Sequence, residues 1–142
     1  MKIATRAVHS GQPNDPQTGA VSFPIYQTST YEQNSPGESK GFTYGRTDNP
    51  TRTALEKCLA ELEGAKHGVA FASGLAAVNT MLNTLRSGCH IIACDDIYGG
   101  TYRMFTKVYE KFGLQFTFLD LTDPKKLDGA IKENTALLWL ES

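Results

Sequence analysis

Three short stretches of this sequence combine residue types that handle anions and flat rings. Ser73-Gly74-Leu75-Ala76-Ala77 falls where a short apolar run gives way to helical spacing. The first N–H groups of a helix lack partners within it, and together with the helix dipole they attract an anion. Gly74 permits close backbone approach and Ser73 adds a hydroxyl. Ser-Gly also serves simply to turn the chain in many α/β proteins, so both readings stand at this point. Asp95-Asp96-Ile97-Tyr98-Gly99-Gly100-Thr101 follows another apolar run. Two glycines after Tyr98 leave space beside its ring, which suits stacking on a flat cofactor; a tyrosine packed at a helix start is the alternative. In Tyr44-Gly45-Arg46-Thr47-Asp48-Asn49-Pro50-Thr51, the planar fork of Arg46 matches phosphate or carboxylate, with the Tyr44 hydroxyl two residues away. A solvated arginine ahead of a helix is the plain alternative.

The elements that must position these groups begin at Asn49. Asn49 caps a helix with Pro50 at its first position, and Leu55, Cys58, Leu59 and Leu62 mark an inward stripe that ends at Gly64. Val69–Ala72 reads as a short strand, and Leu75, Val78, Leu82 and Leu85 as a second helix running towards Gly88. Ile91–Cys94 is a buried strand. A third helix opens at Tyr98 and carries Phe105, Val108, Tyr109 and Phe112 to Gly113. Phe116 and Phe118 lie on another strand. A weaker helix starts at Asp123-Pro124 with Leu127 and Ile131 inward, and Ala136–Leu140 is apolar throughout, the pattern of a strand buried on both faces. This alternation predicts a three-layer α/β/α sandwich with a mainly parallel sheet. Loops at the carboxyl ends of such strands face one crevice, where ligands bind.

Residues 1–49 differ in kind. They hold scattered Gly and Pro with no helical stripe or long alternation, yet Phe23, Tyr26, Tyr31, Phe42 and Tyr44 argue against disorder. An extended arm that lies along a neighbouring subunit is the reading, with 50–142 forming the first part of a larger domain. With 40% apolar and 20% charged residues, the chain is globular. A net charge of −1 gives no basic field for nucleic acid, and no apolar run is long enough to span a membrane. No secretory signal is visible. The three cysteines form no CxxC pair, and Cys58 and Cys94 read as buried reduced thiols; a cytoplasmic location follows as the default.

YGRTDNPT, FASGLAA and DDIYGGTYR, in this order and at these separations, resemble the Cys/Met-metabolism enzymes that depend on pyridoxal 5′-phosphate (PLP), members of the fold-type I PLP transferases. The opening Thr5–Gly11 and Pro24–Tyr31 resemble the arm of that family too. The resemblance implies that Ser73 and the amides of Gly74 and Leu75 cradle the PLP phosphate. It makes Tyr98 the ring that stacks on the cofactor and the catalytic group beside the substrate's amino group. Tyr44 and Arg46 would reach the phosphate held by another subunit in a dimer of dimers. Arg46, Tyr98 and Arg103 would contact the amino-acid substrate, Arg103 at its distal end. No metal is implied.

The same resemblance implies γ-elimination of cystathionine, giving cysteine, 2-oxobutanoate and ammonia. Replacement at the γ-carbon of an activated homoserine, and cystathionine β-lyase activity, share these residues and stay open. The family's chemistry needs a lysine for the Schiff base, and no lysine here stands in the small-hydroxyl setting expected of it. Glu141-Ser142 resembles the beginning of a further motif. The expectation is therefore a chain inactive alone, with the remainder of the enzyme on a separate chain or missing. A complete small phosphate-binding α/β module, or an inactive regulatory fragment, is the competing class.

Overall fold

The structure is a computed structural model that describes residues 2–141. The chain folds as two compact units, Met1–Ala70 and Phe71–Ser142. The first contains α1 (Ile3–His9), a small antiparallel pair β1 (Gln33–Ser35) and β2 (Glu38–Ser39), and α2 (Pro50–Leu62). The helix α1 lies within the segment read as an extended arm; in keeping with the missing apolar stripe, none of its residues is buried. Instead the chain leaving it passes close over α2. At Gly11, with φ 69°, a Cβ would strike the Ala54 carbonyl and the Cys58 amide, so only glycine fits that approach.

Asn49 caps α2 as expected, its side-chain oxygen accepting from the Thr51 amide at 2.9 Å while its amide nitrogen donates to the Tyr26 carbonyl at 3.0 Å. The expected inward stripe does not hold. Leu55 and Leu59 are 50% and 47% exposed, and the buried residues are Ala54 and Ala60. The chain passes close to α2 at both, Gly11 over Ala54 and Gly68 beside Ala60, and small side chains permit these approaches.

The second unit holds α3 (Gly74–Asn83), β3 (His90–Cys94), α4 (Gly99–Lys107), β4 (Gln115–Leu119) and β5 (Thr135–Trp139). The sheet order is β4-β3-β5 and both pairings are parallel, so this unit has the α/β parallel-sheet class expected from the alternation. Every residue of the central strand β3 is buried. Val78, Leu82, Ile91, Ala93, Phe105, Tyr109 and Leu114 form the core. Phe105 stacks on Phe116 at 4.6 Å between ring centroids and meets Trp139 edge-on at 5.7 Å. At the opposite end of β3 from Cys94, the fully buried His90 ties the three strands together. Its Nδ1 and Nε2 each lie 2.8 Å from a hydroxyl, those of Thr135 and Thr117. Burial, and then the charge of Lys132, hold this imidazole below its usual pKa.

Four local expectations need correction. Residues 69–72 are in no ladder: the Ala70 amide donates to Glu56 Oε1 instead, and Val69 and Phe71 are exposed. The third helix breaks at Val108 into a short 3₁₀ turn, Tyr109–Phe112, closed by Gly113 at φ 85°; Val108 and Phe112 are exposed. The segment after Asp123 is a four-residue 3₁₀ turn that leaves Leu127 half-buried and Ile131 exposed. In β5, side chains alternate between half-buried and exposed, because β5 pairs only along β3 and one of its faces has no described neighbour. Cys94 is buried and Cys58 half-buried; all three cysteines are free. Among the described residues, no helix is long and apolar enough to cross a membrane and no cluster of His, Cys, Asp or Glu could hold a metal ion.

Candidate cofactor site at the carboxyl ends of the strands

Ser73 is the N-cap of α3. Its Oγ accepts from the Ala76 amide at 3.1 Å, which leaves the hydroxyl proton free to donate outward. The Gly74 and Leu75 amides make no hydrogen bond among the described residues, and open space surrounds the position a Cβ would take at Gly74. Three donors thus converge on a helix terminus that carries partial positive charge.

The loop after β3 brings in Tyr98, the N-cap of α4. The residue is 62% exposed, and its ring folds back over Gly100, where a Cβ would collide with it. The two glycines therefore do more than leave space, since Gly100 gives the ring a surface to rest on. Behind Tyr98 stands Glu141, just past β5. One carboxylate oxygen accepts from the Tyr98 amide at 2.7 Å, and the other accepts from the buried Thr101 hydroxyl at 3.0 Å and the Trp139 indole at 2.8 Å. The Tyr98 amide bond is the largest cause holding this carboxyl below the usual glutamate pKa, so it is ionised at neutral pH.

Ser73, Gly74, Leu75, Val78, Tyr98, Thr101 and Glu141 together line an open cavity of about 390 Å³. Thr101 and Glu141 stood in the sequence only as parts of motifs, with no role in a site assigned to either. Their signal is positional: Glu141 follows a strand parallel to β3, which carries it to the edge where the Tyr98 loop begins. A smaller neighbouring cavity of about 210 Å³ is lined by Asp95, Asp96, Asp120 and Glu141, and its acidity makes it unsuited to a phosphate.

Tyr44 and Arg46 belong to the unit Met1–Ala70, with the Arg46 guanidinium 4.6 Å above the centre of the Tyr44 ring. Arg46 is exposed and forms no ion pair among the described residues. Arg103 is exposed on α4, its guanidinium lying back beside Gly99.

An open parallel sheet whose carboxyl edge joins an anion-accepting helix terminus to an exposed ring defines an α/β protein built to hold a flat, phosphate-bearing cofactor. The chain belongs to the Cys/Met metabolism PLP-dependent enzyme family, whose model matches residues 4–142. It is 56% identical over 99% of its length to a probable cystathionine γ-synthase of Herpetosiphon aurantiacus, and 51% identical over 99% to a cystathionine β-lyase of Coxiella burnetii. A solved cystathionine γ-lyase of Lactobacillus plantarum, complexed with L-serine, covers the whole chain with a TM-score of 0.94 and 43% identity. The chain spans 44% and 36% of the lengths of those two curated relatives and 37% of the solved chain. The residues lining the cavity fit the family's cofactor: unpaired amides and a hydroxyl would hold a phosphate, an exposed ring would cover a pyridine, and the one lining acid is engaged by three donors of its own.

Proposed function

We propose that this chain supplies the phosphate cradle and the stacking ring of a cytoplasmic, homo-oligomeric PLP enzyme that cleaves cystathionine by γ-elimination. The observation that carries this reading is the joining of Ser73–Leu75 and Tyr98 along one cavity. PLP bound there supplies an electron sink for charge developing beside the amino acid's α-carbon. The Gly74 and Leu75 amides and the Ser73 hydroxyl bind the phosphate, and the Tyr98 ring covers one face of the pyridine. The Tyr98 hydroxyl stands beside the substrate's α-amino group and accepts a hydrogen bond from it. Arg103 orients the distal carboxylate of a long substrate. Residues 1–49 act as an arm, through which Tyr44 and Arg46 serve the phosphate of a neighbouring subunit.

The residues of this cavity do not suffice for catalysis, and we propose that the 142 residues are inactive by themselves. A helix terminus contributes only about 0.3–1 kcal/mol to an exposed anion, too little to retain a cofactor tightly without further contacts. The 56% identity to a probable cystathionine γ-synthase supports γ-replacement as the second reading. Product analysis of the PLP-loaded enzyme separates the two. Release of 2-oxobutanoate from cystathionine supports elimination, whereas cystathionine formed only from cysteine and an activated homoserine supports replacement. Tyr98→Phe is expected to keep PLP and lose turnover, and Tyr98→Ala to loosen the cofactor as well. Equal PLP affinity in both variants would remove the stacking role.

A further inference from the structure

Glu141 holds three donors from two elements with one carboxylate. The Tyr98 amide and the Thr101 hydroxyl belong to the start of α4, and the Trp139 indole to β5. Its own amide is anchored as well, donating to Cys94 Sγ at the end of β3 at 3.3 Å. An ionised acceptor makes stronger hydrogen bonds than a neutral one, and negative charge beside the first turn of a helix is further favoured. Tyr98 itself makes no capping hydrogen bond and is 62% exposed, and its ring rests on Gly100 of the same helix start. The orientation of that ring therefore depends on the backbone beneath it, and the backbone depends on Glu141.

We propose that Glu141 is a positioning residue for Tyr98, a three-donor clamp that fixes the backbone from which the ring and hydroxyl project. The inference rests on the cofactor reading of this cavity. Replacing the carboxylate by an amide keeps the shape but turns one acceptor into a donor, which then opposes either the Tyr98 amide or the Thr101 and Trp139 pair. The effect falls on the start of α4 and leaves the Ser73–Leu75 cradle intact.

The test compares the PLP-loaded wild-type enzyme with Glu141→Gln and Thr101→Val. Three properties are read: hydrogen exchange at the Tyr98 amide, the circular dichroism of the bound cofactor, and kcat against KM. Glu141→Gln is expected to speed exchange at Tyr98, weaken the cofactor dichroism, and lower kcat roughly 10–100-fold with a smaller change in KM. Thr101→Val, which removes one donor of three, is expected to give a smaller change in the same direction. If the Gln variant does not fold, Thr101→Val alone decides, and unchanged exchange at Tyr98 in that variant overturns the proposal. Unchanged exchange and dichroism in a folded Gln variant overturn it too, whatever the activity. A wild-type enzyme that binds no PLP defeats the cofactor reading itself, a result distinct from either.

Discussion

The two units of this chain are held by different means. Phe71–Ser142 is built on burial: Leu82, Ile91, Ile92 and Phe105 are at most 1% exposed, and three parallel strands share one central ladder. Among the described residues of Met1–Ala70 only two apolar ones are buried, Ala54 and Ala60, and Ile3, Val8, Val21, Ile25, Leu55, Leu59 and Val69 are between 47% and 77% exposed. Polar contacts take the place of a core there. Asp15 accepts from the Thr18 hydroxyl and two amides, Asn49 joins the Tyr26 carbonyl to the start of α2, and Arg6 donates to the Glu61 carbonyl at 2.9 Å. A unit of the first kind carries its own solvent-shielded interior, whereas one of the second kind presents apolar side chains that gain by being covered.

The contrast can be broken most sharply at Phe105. Phe105→Ala leaves a cavity among Phe116, Trp139 and the helix behind them, and should cost about 3–5 kcal/mol in urea unfolding. A loss below about 1 kcal/mol would mean the second unit is not organised round that ring. Next is Arg46→Ala in the assembled enzyme, where we expect roughly a 10–100-fold weaker hold on PLP by fluorescence titration. If Arg46 serves another subunit, mixing these subunits with Tyr98→Ala subunits restores sites that carry both side chains; no restoration in any mixture would place Arg46 outside the site.

Asn49→Ala removes a cap and its bond to the Tyr26 carbonyl, with an expected loss of about 1 kcal/mol. Its accompanying signature is faster hydrogen exchange in the first turn of α2. The smallest effect concerns pH. Because burial lowers the folded pKa of His90 from 6.5, its contribution to stability is complete above 6.5 and is lost as pH falls through the lowered folded value. Melting temperature should therefore decline over that acidic window in wild type and less so in His90→Asn. Parallel curves for the two would assign the decline to other groups.

Much of this organisation was readable in advance, and the failures follow a pattern. Asn49-Pro50 and Ser73-Gly74 announced helix starts because capping is local chemistry, decided within four residues. Ile91–Cys94 announced a central strand because an uninterrupted apolar run is tolerated only where both faces are covered. Leu55, Leu59 and Ile131 misled because their periodicity reports a capacity for burial, while actual burial depends on what lies opposite. For Val69–Ala72, strand composition was present but no ladder partner was. The site divides in the same way. Gly74 and Tyr98 sit at helix starts whose glycines stand out, whereas Glu141 acquires its role only from a strand pairing that no local pattern encodes.

That pairing also sets an order of events in time. The Ser73 cap and the first turn of α3 need only neighbours in the chain, and such turns form on the timescale of helix growth. The Tyr98 amide must wait for a carboxylate 43 residues further along, delivered by a strand whose register on β3 joins residues 45 or 46 apart. Closing a loop of that length precedes any contact that rewards it, and parallel pairing across such separations is slow. As the chain folds, the phosphate cradle therefore exists before the ring beside it has a fixed backbone, and the register of β5 is the step that completes the pocket.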